Sequence, residues 1–208
     1  VKVAIVDYGM GNLHSVGKAV ERLGHQVIVA ASQAEIEAAD GVILPGVGAF
    51  GDAMKQLSQT GLDKVLQDVV TRGQPLLGIC LGMQLLFDES VEHGNYQGLG
   101  ILPGKVVRFV EGELKIPHMG WNKLQFKAEN DALLAGLEEG YVYFVHSYHV
   151  LPTDRADLLA VTDYGHEVTA IVGRGNVYGM QFHPEKSSEL GMALLESFLN
   201  NVVGKKQA

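Results

Sequence analysis

Residues 75–87 read Pro75-Leu76-Leu77-Gly78-Ile79-Cys80-Leu81-Gly82-Met83-Gln84-Leu85-Leu86-Phe87. The first part is a short apolar run of strand length, and Leu81–Phe87 begins a helix. Between them, Gly78-Ile79-Cys80-Leu81-Gly82 has the pattern of a nucleophile elbow with cysteine in place of serine. Such a turn projects its central side chain out of a sheet and holds that residue's backbone in an unfavourable region, at a cost of about 1–3 kcal/mol. Glycines on both sides let neighbouring backbone come close. The helix N-terminus beside the sulfur favours thiolate over thiol, and the Leu81 N–H is positioned to donate to an oxyanion. The other reading of Cys80 is a buried structural cysteine, which is what most lone cysteines are.

Upstream of the elbow, short apolar runs alternate with helical patterns. Val3–Val6 leads into the turn Asp7-Tyr8-Gly9-Met10-Gly11-Asn12, then an amphipathic stretch from about Leu13 to Leu23 closed by Gly24. Val27–Ala30 reads as a strand, Ser32 as the cap of a short helix through Ala38, and Gly41–Leu44 as a third strand ended by Pro45-Gly46-Val47-Gly48. One longer helix is expected next, with Leu62, Val65, Leu66 and Val69 on one face and Gly73 after it. This order predicts an α/β fold with a mostly parallel central sheet flanked by helices. Cys80 then sits at the carboxyl end of a strand, the edge where open α/β sheets bind ligands.

Downstream, Lys105–Phe109, Lys115–Ile116, Leu124–Phe126, Tyr141–Ser147, Leu158–Thr162, Val168–Val172 and Asn176–Phe182 read as closely spaced strands. They predict antiparallel additions to the same sheet. A last helix, about Ser188 to Asn200, places Leu190, Leu194, Leu195 and Phe198 on one face. With no Pro/Ser-rich linker and no repeat, residues 1–203 are expected to form one domain and residues 204–208 a frayed tail.

The 208 residues are 47% hydrophobic and 19% charged, a balance that supports a sizeable core. A net charge of −8 argues against a surface that tracks nucleic-acid phosphates. Cys80 is the only cysteine, so no intramolecular disulfide is possible, no zinc spacing is present, and a reducing compartment is the default. No basic leader is expected before Val1, and no apolar run approaches the ~20 residues of a membrane span. The expectation is a cytoplasmic protein without metal or cofactor.

A thiolate nucleophile needs a base, and the base needs a group to orient it. Gln181-Phe182-His183-Pro184-Glu185 supplies both. Pro184 stops the strand and biases His183 to an extended backbone. Glu185 can then bond one imidazole nitrogen while the other faces Cys80. Of the eight histidines, only His183 has a carboxylate held at a fixed offset by a proline. His14, His25, His93 and His166 read as solvated residues, and His118, His146 and His149 as structural ones.

Gly78-Ile79-Cys80-Leu81-Gly82-Met83-Gln84 together with Gln181-Phe182-His183-Pro184-Glu185 resembles the class I, or triad, glutamine amidotransferases. The flavodoxin-like sheet of that class agrees with the pattern above. Further segments narrow the resemblance to the glutaminase subunits of imidazole glycerol phosphate synthase. They are Ile5-Val6-Asp7-Tyr8-Gly9-Met10-Gly11-Asn12-Leu13, Pro45-Gly46-Val47-Gly48-Ala49-Phe50, Pro117-His118-Met119-Gly120-Trp121-Asn122 and Tyr143-Phe144-Val145-His146-Ser147-Tyr148.

The resemblance implies hydrolysis of glutamine to glutamate and ammonia, with the ammonia channelled to a (β/α)8-barrel cyclase subunit in a heterodimer. It makes Cys80 the nucleophile, His183 the base and then acid, and Glu185 its orienter. Leu81 and Val47 N–H become the oxyanion donors, with a Gly46–Val47 peptide that can face the wrong way until the partner and its substrate bind. Gly48, Gln84, Glu92 and the Ser147-Tyr148 backbone are expected at bound glutamine. Asn12, Trp121 and Tyr143 are expected at the cyclase. For Glu92 an exposed helix-end carboxylate is the alternative, and for Trp121 a core or surface role.

Two other readings compete. Another triad amidotransferase, serving anthranilate or aminodeoxychorismate synthesis, or a γ-glutamyl hydrolase, fits the elbow but not Asp7–Asn12 or Pro117–Asn122. A cysteine-centred sensor or chaperone would need the elbow but not His183 with Glu185.

Overall fold

The computed structural model describes residues 1–206. The first half follows the expected alternation: β1 (Lys2–Val6), α1 (Leu13–Arg22), β2 (Gln26–Ala30), α2 (Gln33–Glu37) and β3 (Gly41–Leu44). α3 (Phe50–Thr60), α4 (Leu62–Thr71), β4 (Leu76–Ile79) and α5 (Leu81–Leu85) complete it. Local chemistry sets these ends. Asn12 and Ser32 cap α1 and α2 with side-chain oxygens that accept from Ser15 and Glu35 N–H. The single long helix expected before Gly73 is instead two, because Gly61 takes a left-handed φ of 75° and turns the chain between α3 and α4.

Short strands open the second half: β5 (Glu89–Ser90), β6 (Tyr96–Gln97), β7 (Gly104–Arg108), β8 (His118–Lys123) and β9 (Gln125–Phe126). After them come β10 (Tyr141–His146), β11 (Tyr148–Pro152), β12 (Leu158–Asp163), β13 (Glu167–Arg174), β14 (Val177–Met180) and α6 (Ser188–Ser197). The chain continues in a π-helical stretch, Phe198–Val203, and a 3-10 turn, Gly204–Lys206. Gln207 and Ala208, the end of the expected tail, lie outside the described residues.

The main sheet has the order β2-β1-β3-β4-β14-β13-β12-β9. From β2 to β14 all pairings are parallel, and from β14 to β9 they are antiparallel. The parallel part has the flavodoxin-type doubly wound order. Alternation along its strands fills two separate cores. Val3, Ile5, Ile43, Leu77 and Ile79 meet Val16 and Val20 of α1 and Leu194 and Leu195 of α6. Ala4, Val6, Val42, Leu44 and Leu76 meet Ile36 of α2, Leu57 of α3 and Leu66 of α4. With both faces covered, these strands must be apolar throughout, which is how they read in the sequence.

Two expectations fail in the second half. β7 and β10 do not join the main sheet: β7 lies between β11 and β5 in a four-stranded sheet, and β10 pairs with β8 alone. A period of two marks a strand but does not name its partner. Lys115–Ile116 is not a strand; it lies in the irregular connection before Pro117, which has no N–H to give to a ladder.

Candidate active site

Cys80 sits where β4 gives way to α5, with φ 56° and ψ −114°, a region non-glycine residues avoid. Three hydrogen bonds hold it there. Its N–H donates to Met180 O of β14 at 2.8 Å, and its carbonyl accepts from Met83 N–H at 3.1 Å and Gln84 N–H at 3.3 Å. The turn is possible only because Gly82 lies against the end of β3, where a Cβ would collide with the Leu44 carbonyl oxygen. α5 ends at Leu85, shorter than the expected helix to Phe87, and the chain finishes in tighter turns.

A cavity of about 570 Å³ opens over the sulfur. Nine of the residues expected at the site line it: Val47, Gly48, Cys80, Leu81, Gln84, Glu92, Ser147, Tyr148 and His183. His93, Arg108, Val145 and His146 line it as well and were not anticipated. Glu185 stands behind His183, its Oε1 at 3.2 Å from Nδ1, with both side chains at most 5% exposed. Burial alone would lower the His183 pKa. Hydrogen bonding to Cys80 and Glu185 outweighs it and raises the pKa to about 9. At neutral pH the imidazole therefore carries its proton, next to the sulfur.

Leu81 N–H, one expected oxyanion donor, is occupied. It donates to Gly46 O at 3.3 Å. In a trans peptide the N–H points opposite to the C=O, so the Val47 N–H faces away from Leu81. The peptide before it is anchored, since Tyr8 Oη donates to Pro45 O at 2.7 Å. Val47 itself is 46% exposed at the cavity rim.

Other expected residues are partly engaged. Glu92 is buried rather than an exposed helix end, and its Oε1 accepts from Phe50 N–H at the start of α3 at 2.9 Å. Gln84 donates to Tyr148 O and to Gln181 Oε1, each at 3.1 Å, so both amide hydrogens are spent inside the protein. Asn12, Trp121 and Tyr143 lie away from the cavity. Asn12 caps α1, while Trp121 and Tyr143 are register partners on β8 and β10 with ring centroids 5.9 Å apart. Trp121 is half exposed, so it is not a core residue. Gln181 is the residue the motif reading passed over. It lies two positions before His183, in the bend that follows β14.

His118, His146 and His149, expected in structural contacts, are all buried, and His146 also lines the cavity. His146 Nδ1–H donates to Tyr148 O at 2.8 Å, and its Nε2 is 3.0 Å from His118 Nδ1. Burial lowers all three pKa values, that of His146 to about 3 and that of His149 to about 4. Their unfolded pKa is about 6.5, so the folded state keeps them neutral while the unfolded chain takes up protons below that pH. Stability is therefore full above pH ~6.5 and falls on acidification, at up to about 1.4 kcal/mol per pH unit for each of His146 and His149. His183 acts in the opposite direction: its contribution is complete below pH ~6.5 and lost as pH rises through about 9. Urea unfolding between pH ~6.5 and ~4.5, above the range where most carboxylates titrate, is expected to show the slope. His149→Gln should flatten it, and an unchanged slope would argue against a buried neutral His149.

No described helix is long and apolar enough to cross a membrane. Among known proteins, the model of the class I glutamine amidotransferase family matches residues 4–202. "Imidazole glycerol phosphate synthase subunit HisH" of Geobacillus kaustophilus is 54% identical over 208 residues, 98% of each chain. The protein of the same name from Bacillus subtilis is 53% identical over 209 residues, again 98% of each. A crystal structure of a glutamine amidotransferase superposes with a TM-score of 0.76 at 22% identity, over 97% of this chain and 98% of that one. A glutamine amidotransferase from Thermotoga maritima gives 0.72 at 16% identity, over 98% of each chain. At those identities the solved structures speak for the fold, while the sequence relatives and the family model speak for descent. The chain belongs to the class I glutamine amidotransferases and, within them, to the HisH subunits of imidazole glycerol phosphate synthase.

Proposed function

We propose that the chain is the glutaminase of a histidine-biosynthetic synthase, hydrolysing L-glutamine to L-glutamate and ammonia through Cys80, His183 and Glu185. The observation that carries this reading is the geometry: His183, backed by Glu185 at 3.2 Å, lines one cavity with Cys80, and its contacts with both raise its pKa. The sulfur attacks the glutamine side-chain carbonyl carbon, and the S–C bond forms as the carbonyl π electrons move to oxygen. When the C–N bond breaks, the nitrogen takes the proton from His183 and leaves as ammonia, and a γ-glutamyl thioester remains. Neutral His183 then takes a proton from water as the water oxygen attacks the thioester. Collapse breaks the S–C bond, releases glutamate and restores the starting pair.

The oxyanion in both halves needs Leu81 N–H and Val47 N–H, so the Gly46–Val47 peptide must turn over for catalysis. Glu92 suits the substrate's ammonium group, and Gly48, Gln84, Ser147 and Tyr148 the rest of it. Ammonia passes to the cyclase of a heterodimer, which is a (β/α)8 barrel and docks on a face that includes Trp121, Tyr143 and Asn12. There it reacts with a phosphoribulosyl-formimino aminoimidazole carboxamide ribotide, giving imidazole glycerol phosphate and an aminoimidazole carboxamide ribotide. The reading treats residues 1–203 as one domain, working in the cytoplasm.

An electrophilic analogue of glutamine tests the site assignment. It should inactivate the enzyme and appear, after digestion, on the peptide carrying Cys80. Labelling that persists in Cys80→Ala would remove the assignment.

A further inference from the structure

Gln181 is completely buried and follows β14 directly, in a position no step above uses. Its backbone N–H donates to Ala170 O at 2.9 Å, which ties it to β13. Its side chain lies between two others. Oε1 accepts from Gln84 Nε2 at 3.1 Å, and Nε2 is 3.8 Å from Cys80 Sγ.

The direction of this chain follows from its far end. The Tyr148 carbonyl can only accept, so Gln84 must present its NH2 group there, at 3.1 Å. The same NH2 group faces Gln181, which must answer with oxygen. That leaves the Gln181 NH2 group toward the sulfur. A thiolate only accepts hydrogen bonds, whereas a thiol must also place a proton, so a fixed donor favours the charged form. A fully buried amide with both ends engaged is also rigid, because letting go would strand polar atoms away from water.

We propose that Gln181 is a positioning residue for the nucleophile: its amide, held in one orientation by Gln84, keeps a hydrogen-bond donor on the Cys80 sulfur and aims it into the cavity. The proposal rests on the reading of Cys80 as nucleophile. On this account the sulfur has His183 on one side and Gln181 on the other, both supplied by the segment after β14. Two residues of one short segment thus fix a group that arrives on β4.

Cys80 is the only cysteine, so iodoacetamide reports its reactivity alone. The quantity read is the alkylation rate at pH 7 divided by that at pH 10, where every accessible thiol is ionised. In the wild-type chain this ratio should stand well above that of a cysteine peptide. Gln181→Met, similar in length but without a donor, should lower it about tenfold, the scale of one hydrogen bond to a charged group, with the pH 10 rate unchanged. Gln84→Met, which frees Gln181 to turn, should shift the ratio the same way by less. Far-ultraviolet circular dichroism identifies variants that keep the fold, and Gln84→Met carries the test if Gln181→Met does not keep it. A high wild-type ratio retained by the folded variants would overturn the role of Gln181 alone. A peptide-like ratio in the wild-type chain would overturn the nucleophile reading, and this proposal with it.

Discussion

His183→Ala is expected to lower glutamine hydrolysis at least about a thousandfold while leaving KM for glutamine within a few-fold. In the proposed mechanism both halves of the reaction pass a proton through this imidazole, first to the departing nitrogen and then from the attacking water. No other residue lining the cavity is held in that way. His146 spends Nδ1–H on Tyr148 O, and its pKa near 3 leaves it neutral at working pH. His93 lines the cavity from its exposed rim. The variant should fold, because the local bonds that shape the segment are made by the His183 backbone and not by its imidazole. The His183 N–H donates to Tyr143 O at 3.3 Å, and its carbonyl accepts from Ser187 Oγ at 2.6 Å. Steady-state release of glutamate checks the effect, and turnover within tenfold of the wild-type chain would remove His183 from the chemistry. Because Glu185 acts through His183, its loss cannot cost more than the loss of His183 itself.

The parallel half of the fold was legible in the sequence because its signals are local. Apolar runs, the Ser32 cap and the glycines of the elbow each state their own geometry. The same holds for His183 and Glu185, where proline restricts the backbone between them. Pairing was not legible. Nothing within Gly104–Arg108 or Tyr141–His146 says which strand lies alongside, and both leave the main sheet. Gly61 falls in what reads as one longer helix, yet its left-handed φ divides that helix in two. Gln181 was hidden for a different reason. Its role comes from Cys80 and Gln84, which lie far from it in the chain. The orientation of the Gly46 carbonyl was least accessible of all, since a backbone rotation at a glycine leaves no side-chain signature.

That carbonyl sets the second large effect. With Gly46 O on Leu81 N–H, neither proposed oxyanion donor is available: one is taken and the other, on Val47, faces away. Loss of a single such donor costs about 10²–10³ in kcat, so the isolated chain should turn glutamine over slowly. Val47 is exposed at the rim, where a bound protein can press on it, and Tyr8 pins the Pro45 carbonyl so that movement is confined to the Gly46–Val47 peptide. Both donors become available once that peptide turns. The decisive measurement is the rate of glutamate formation by the isolated chain, compared with the chain saturated by the cyclase and its nucleotide substrate. The account predicts a rise in kcat of at least about a hundredfold. Equal rates in the two samples would contradict it.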